Sequence, residues 1–579
     1  MSLTYSGIFC KKSVTFRSYP ASRDNRSRLS DSRIMRGPFP VTYFHRSLVL
    51  GCSVLALAAC GPDDIASPGT GGNVDIDINN PAPAPTPTPT APGLVTPAGA
   101  CPTISDPKGL TDAGTITGPT GTYRVCELPS LIEVSSTLPK VDGLLYAIDG
   151  RVNVGCDGGF RAPTAAAPHN STTIGCGTLT SDTNVTLTIE PGAILYGATG
   201  QSWLAVNRGN KINAAGTATQ PIVFTSEDNV VGFNTDTSQG QWGGVVLLGR
   251  AQITDCAAPG ATPGTIACER QTEGAVDPAK YGGANNADSS GRMSYVQIRY
   301  SGFVLSANSE LQSLTAAGVG SGTIFDHIQS VNSSDDAAEC FGGRVNMKYF
   351  VAVGAEDDNL DTDTGVKANF QYVLAVQRNG VGDSMIEADS DNAVDGDIPR
   401  QHTRVSNATF IQRATTASNA AAILLRGGTD YSLVNSILIS PGLACLRISR
   451  ANTIQAANAG QDEAGPPLFR SVVMECGTNK YTGSSGVTAA QVATVFGTGA
   501  NNNNDAFTNS LVGLFVNGAN ETAVPAFNAS TLDAYFDNAG YIGAVRNAAE
   551  TWYRGWTCTS AIVDLGTSST GPCTSLPTT

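Results

Sequence analysis

The 579-residue chain is poor in the groups that most enzymes rely on. It has four histidines, His45, His169, His327 and His402, and they fall in no shared motif. There is no CxxC pair or Cys/His cluster to suggest zinc, and no nucleophile elbow, P-loop or dinucleotide fingerprint. Methionines number six and charged residues make up 15%, a texture closer to extracellular β proteins than to charged helical ones. Helix signals are nearly absent before residue 531. Basic residues are scarce as well. Without residues 1–59, which hold nine Lys/Arg and two Asp, 26 basic and 47 acidic side chains remain, a net of −21. Such a surface repels nucleic acid and anionic lipid and favours cations or neutral partners.

What is present begins with an address. Residues 47–59, "SLVLGCSVLALAA", form an apolar stretch of 13, too short to span a bilayer comfortably. It follows a basic, acid-free segment (Arg36, His45, Arg46) and ends at "LAAC" (57–60), the pattern of a signal peptide. "LAAC" resembles the lipobox of bacterial lipoproteins, and this resemblance implies that Cys60 is lipidated and becomes the mature N-terminus. Gly61 in the next position implies the outer membrane, on its periplasmic or cell-surface face. Met35 is an alternative translation start.

Eleven of the fourteen cysteines remain once Cys10, Cys52 and Cys60 are set aside, and an exported chain can keep disulfides. Proximity suggests Cys101–Cys126, Cys156–Cys176, Cys256–Cys268, Cys445–Cys476 and Cys558–Cys573, though spacing alone does not fix connectivity. Cys340 is left over in a strand-like run and reads as a buried thiol.

Five segments follow: an extension and signal peptide (1–59), a lipidated tether (60–100), a disulfide-containing region (101–182), a repetitive body (183–530) and a cap (531–579). The tether's "NNPAPAPTPTPTAPG" (79–93) has too little apolar content to pack, so it reads as disordered and favours extended polyproline II. At ~3 Å per residue it reaches on the order of 100 Å. In the body, short runs such as "RVNMKYFVAVGA" (344–355), "NFQYVLAVQRNG" (369–380) and "YSLVNSILISPG" (431–442) are rich in β-branched and aromatic residues and closed by turn residues. Tyr349 and Tyr372 recur after 23 residues, the period of a solenoid. One turn of a parallel β-helix, three strands and three corners, needs about that length. Only "TLDAYFDNAGYIGAVRNAAETWYRGW" (531–556) reads as helical, hence the prediction of a short helical C-terminal cap.

The order "LTIEPGAILYG", "LAVNRGNKINAAGTATQPIVFTS", "WGGVVLLG" and "DDAAECFGGRVNMKYFVAVGAEDDNLD" resembles bacterial surface lipoproteins with a right-handed parallel β-helix, pectin-lyase-like body. The resemblance spans most of residues 183–557 and implies fold and location more than activity.

One motif bears on chemistry. "SDDAAEC" (334–340), "GAEDDNLDTDTG" (354–365) and "GDSMIEAD" (382–389) share a frame. Asp335, Asp357 and Asp383 open it, and Glu339, Asp361 and Glu387 follow four residues later. On neighbouring coils of a β-helix these become columns, with Arg426 and Arg447 continuing the second. Stacked carboxylates repel, so they need a cation, a raised pKa or a basic partner. Oxygen ligands suit Ca²⁺, with Asp357, Asp358, Asp361, Asp363 and Asp383 as candidates. No EF-hand or β-roll repeat is matched. The alternatives stay open: solvated corner acids bonded to their own turns, or a polysaccharide lyase or glycoside hydrolase using Asp336, Asp358 and Arg426. The Gly-His-Gly and Arg-Ile-Lys motifs of polygalacturonases are missing. Asn346, Asn407 and Asn435 read as corner amides bonding between coils, and Tyr349 and Tyr372 as packing residues or sugar stackers. The expected function is a non-enzymatic surface module that binds glycan, a cation or an outer-membrane partner such as a transporter. An enzyme and an architectural adhesion or coat protein are the alternatives.

Overall fold

The computed structural model describes residues 93–306, 309–390 and 396–578. The signal segment, Cys60 and most of the tether lie outside the described residues. Among the described residues two sheets, of 15 and 11 strands, run the length of the body, parallel throughout except for the antiparallel hairpin of Thr111–Gly118 with Gly121–Glu127 that opens the larger one. The chain alternates between them. Arg344–Val353 lies in the large sheet, Asp361–Asp363 in the small, Lys367–Val376 in the large and Ile386–Ala388 in the small. This is a parallel β-helix.

The long strands owe their shape to one residue each. In "RVNMKYFVAV" alternation points Val345 and Met347 inward, with Asn346 and Lys348 outward. Tyr349 then takes a left-handed backbone, φ +61°, and ladder pairing skips it. The skipped residue shifts the phase, so Phe350 faces the core as Met347 does. Tyr295, His327, Tyr372, Asn407, Asn435 and Ser471 occupy the same place on other coils, all with positive φ. Each long strand is therefore two legs joined at a bend, which gives three faces per turn as the period required. Inside, Phe325, Met347, Phe370, Val405, Leu433 and Phe469 stack in register as one buried column. Each contributes about 1.5–3 kcal/mol by leaving water.

Coil formation starts well before residue 183. Gly121–Glu127 pairs with Leu144–Ile148, which pairs with Ile194–Gly197. All five proximity disulfides form, and Cys340 is free and buried.

The C-terminal end departs from the expected helical cap. The eight-residue helix that closes the last coil is Ala489–Phe496, opened by a Thr488/Gln491 capping box. Its Phe496 packs on Phe469 and Tyr481 at 5.4 and 5.8 Å. Residues 532–578 contain no helix. Gly540, Gly543 and Gly555 adopt φ of +74°, +79° and +85°, which breaks the helical reading of 531–556. Residues 527–578 instead run back over the outer face of the large sheet as a strap. Its Val545, Tyr553, Trp556 and Val563 cover Val351, Leu374 and Ile411.

Side-chain amides tie it down. Gln329, Gln371 and Asn435 each pair twice with one backbone residue of the segment crossing them. Cys558 N–H donates to Gln329 Oε1 (2.9 Å) while Gln329 Nε2 donates to Cys558 O (3.3 Å). Gln371 does the same with Asp537 (2.9 and 2.9 Å), and Asn435 with Phe527 (2.7 and 2.9 Å). Asn407 Nδ2 donates to Tyr541 O at 2.7 Å. Asn407 and Asn435 thus hold the strap as well as their neighbouring coils. Asn346 is not in their column; it stands three residues before the bend and accepts from Asn369 Nδ2 at 2.9 Å.

Candidate functional site: an acidic stripe on the small sheet

The stripe begins with strand register. Glu339 sits opposite Asp361, and Asp361 opposite Glu387, on adjacent parallel strands. Their neighbours Ala338, Cys340, Ile386 and Ala388 point into the core, so alternation turns the three acids outward. Each strand is preceded by a turn that brings a second set together. Asp383 N–H donates to Asp357 O at 3.1 Å, which sets one turn on the next.

Within these turns the acids divide into two files. Asp336 and Asp358, 4% and 3% exposed, form the inner one. Asp358 N–H donates to Asp336 Oδ1 at 2.8 Å, and Ser384 N–H donates to Asp358 Oδ1. Each carboxyl therefore caps the equivalent backbone N–H of the next coil. Asp335, Asp357 and Asp383 form the outer file. Gln312 Nε2 donates to Asp335 at 3.1 Å, and Asn419 N–H donates to both Asp383 oxygens at 2.8 and 3.2 Å.

This crowding has an electrostatic consequence. Burial, then the neighbouring carboxylates, push Asp335, Asp336, Glu339, Asp358 and Asp361 well above the usual carboxylate range. The same two causes bring Asp357 to about 7. Asp383 is raised too, chiefly by burial. From outside the frame, Glu273 adds to the field at Asp335 and Glu339, and Glu310 to that at Asp335.

The sequence frame places the acids correctly but misplaces one arginine. Leu424, rather than Arg426, stands opposite Glu387, and Arg447 follows opposite Leu424. Arg426 lies two residues on, on the same face, and reaches back to Glu387 (2.6 Å) and Asp389 (2.7 Å). Arg447 Nη1 donates to Asn419 O at 2.8 Å, steadying the loop that holds Asp383. The stripe is thus graded, with ion-paired acids at one end and acids crowded by other carboxylates at the other.

At the crowded end two groups of three carboxylates place one oxygen each within 4.8 Å of the others. Asp335, Asp336 and Asp357 form one, Asp336, Glu339 and Asp361 the second, and Asp336 is common to both. Of the five acids expected as cation ligands, Asp357 and Asp361 fall in these groups, while Asp358, Asp363 and Asp383 do not. Asp336 and Glu339 were legible from the doubled "DD" and from the frame. Glu273, more than sixty residues away in sequence, left no signal. An open groove of about 550 Å³ runs beside Asp357 and Asp383, walled by Gly380, Gly382, Thr416 and Ser418.

His327 and the two tyrosines stand elsewhere, on the large sheet under the strap. Tyr295, His327, Tyr349 and Tyr372 stack ring on ring at 4.2, 4.3 and 4.9 Å, so their faces serve packing.

No curated protein and no solved structure matches the chain. A family model described as a pectate-lyase like beta helix domain matches residues 170–557, the greater part of the 579. With coils, register and extent in agreement, the chain belongs to the pectate-lyase like beta helix domain family.

Proposed function

We propose that the protein is a non-enzymatic β-helix binding module whose acidic stripe holds Ca²⁺, and that lipidated Cys60 tethers it to the outer membrane. One observation carries the cation reading: Asp336 belongs to two three-carboxylate groups with oxygens no more than 4.8 Å apart. Ca²⁺ binds oxygen at 2.3–2.6 Å, so two of its ligands lie at most about 5 Å from each other. A divalent ion would also displace the protons from carboxyls that burial otherwise keeps neutral, and would neutralise the carboxylates left behind. Its ligands would come from Asp335, Asp336, Glu339, Asp357 and Asp361. The adjoining groove is the natural place for a glycan or partner protein, and the tether supports a role in capture away from the membrane.

The family's resemblance to pectate lyase favours a second reading, a polysaccharide lyase or hydrolase. Against it, the guanidinium of Arg426 is engaged by two carboxylates, which leaves it unsuited to act as a base. Calorimetry on the body tests the first reading: Ca²⁺ binding is expected, and Asp336→Asn is expected to weaken it at least tenfold. Absence of binding by the unaltered protein removes the proposal, and Ca²⁺-dependent cleavage of a polyuronate would replace it with the enzyme.

A further inference from the structure

The strap has a construction that the acidic stripe does not explain. Residues 553–573 bond largely to one another. Gly555 N–H donates to Thr567 O (3.0 Å), Ser569 N–H to Gly555 O (2.7 Å), Thr559 N–H to Gly571 O (3.0 Å) and Cys573 N–H to Thr559 O (2.8 Å). The disulfide Cys558–Cys573, spanning 15 residues, closes this knot. It meets the coils through side chains rather than a sheet ladder. Gln329 pairs with Cys558, Asn229 Nδ2 donates to Cys573 O (3.1 Å) and Arg413 Nη1 donates to Ile562 O (3.0 Å).

One of these attachments works against docking. Arg299 is fully buried, and its guanidinium donates to Cys573 O (3.1 Å), Ser575 O (2.9 Å), Thr570 Oγ1 (3.3 Å) and Gln297 Oε1 (2.9 Å through Nε). These acceptors are uncharged. Burial pulls its pKa down to about 10. Seating the strap therefore strips water from a cation and returns only neutral oxygens, a costly exchange. The disulfide offsets it by holding the knot in its docked shape before it lands.

We propose that residues 553–578 are a disulfide-set latch, which docks on the finished coils and lifts from them as one piece. Lifting frees Arg299 to water and uncovers Tyr295 and His327, on which Trp556 now rests edge-on at 6.0 and 5.6 Å. The latch stands apart from the cation reading, since none of its residues touches the stripe.

Hydrogen exchange read by mass spectrometry tests it on the folded protein and on a Cys558→Ser/Cys573→Ser variant. Peptides from 553–576 are expected to exchange about 100-fold faster in the variant, the factor that closing a 15-residue loop supplies. Peptides covering Arg344–Val353 and Lys367–Val376 should be unchanged. Gln329→Ala keeps the disulfide and serves if the double variant does not fold, with faster exchange again confined to the strap. Equal acceleration in strap and coils would show the strap to be inseparable from the body. An unaltered strap in both variants would remove the latch altogether.

Discussion

The small sheet and the large sheet repeat with the same period, yet what they stack differs in sign. On the small sheet Glu339, Asp361 and Glu387 are laid over one another and repel. On the large sheet Tyr295, His327, Tyr349 and Tyr372 are laid over one another and attract. Strand spacing in a solenoid is fixed by backbone hydrogen bonds, so side chains cannot choose their distance. A favourable repeat is therefore amplified along the axis, and so is an unfavourable one. The aromatic file is complete within the chain, covered by Trp552 and Trp556. Among the described residues Arg426 pairs with the acidic file at one end, and the remainder is where we propose that a cation binds.

The sharpest way to break the comparison is to damage the self-sufficient side. Trp556→Ala removes a fully buried indole that packs on Tyr295 and His327. A loss of about 3–5 kcal/mol is expected in denaturant titrations. A loss below 1 kcal/mol would show that the strap adds little to the aromatic file.

The acidic side should answer to Ca²⁺ instead. At a free concentration a hundredfold above Kd, stabilisation of about 3 kcal/mol is expected, seen as a higher Tm than in chelator. Asp336→Asn should lose most of that gain, whereas Trp556→Ala should keep it. If Trp556→Ala lost it equally, the two files would be coupled.

A smaller effect concerns pH in chelator. Asp357 titrates near 7 when folded and near 4 when unfolded, so the folded state holds its proton more tightly. That stability is fully present below about pH 4 and declines as pH rises through about 7. Tm should therefore fall across this window without Ca²⁺, and the fall should shrink when Ca²⁺ replaces the protons. A Tm that rises with pH in chelator would contradict the protonated stripe.

Legibility followed the same division. Asp335, Asp357 and Asp383 could be aligned by eye because the coils between them are short, 22 and 26 residues. The frame sets Arg426 in the wrong row because the coil from Glu387 to its partner Leu424 carries a long insertion, and spacing no longer fixes register. The left-handed bend was hidden for a different reason. Asn407, Asn435 and His327 are of types that tolerate positive φ, but Tyr349 and Tyr372 are not, and only their stacking reveals the site. Residues 531–556 read as helical because Val545, Trp552, Tyr553 and Trp556 fall at helical spacing, whereas in the strap they pack over Val351, Leu374 and Ile411 of three separate coils. Its true partners lie up to 454 positions away, as Tyr123 and Pro577 do.

The paired amides on Gln329, Gln371 and Asn435 make the strap a measuring tape laid across the coils. Each mark on it, Cys558, Asp537 and Phe527, must meet a particular rung. Corner loops can lengthen freely in such a protein, since nothing counts them. Adding or losing a whole turn between Gln329 and Asn435 would leave the marks one rung out of step. Growth by duplication, the usual route to longer solenoids, is thereby confined to the turns the tape does not reach.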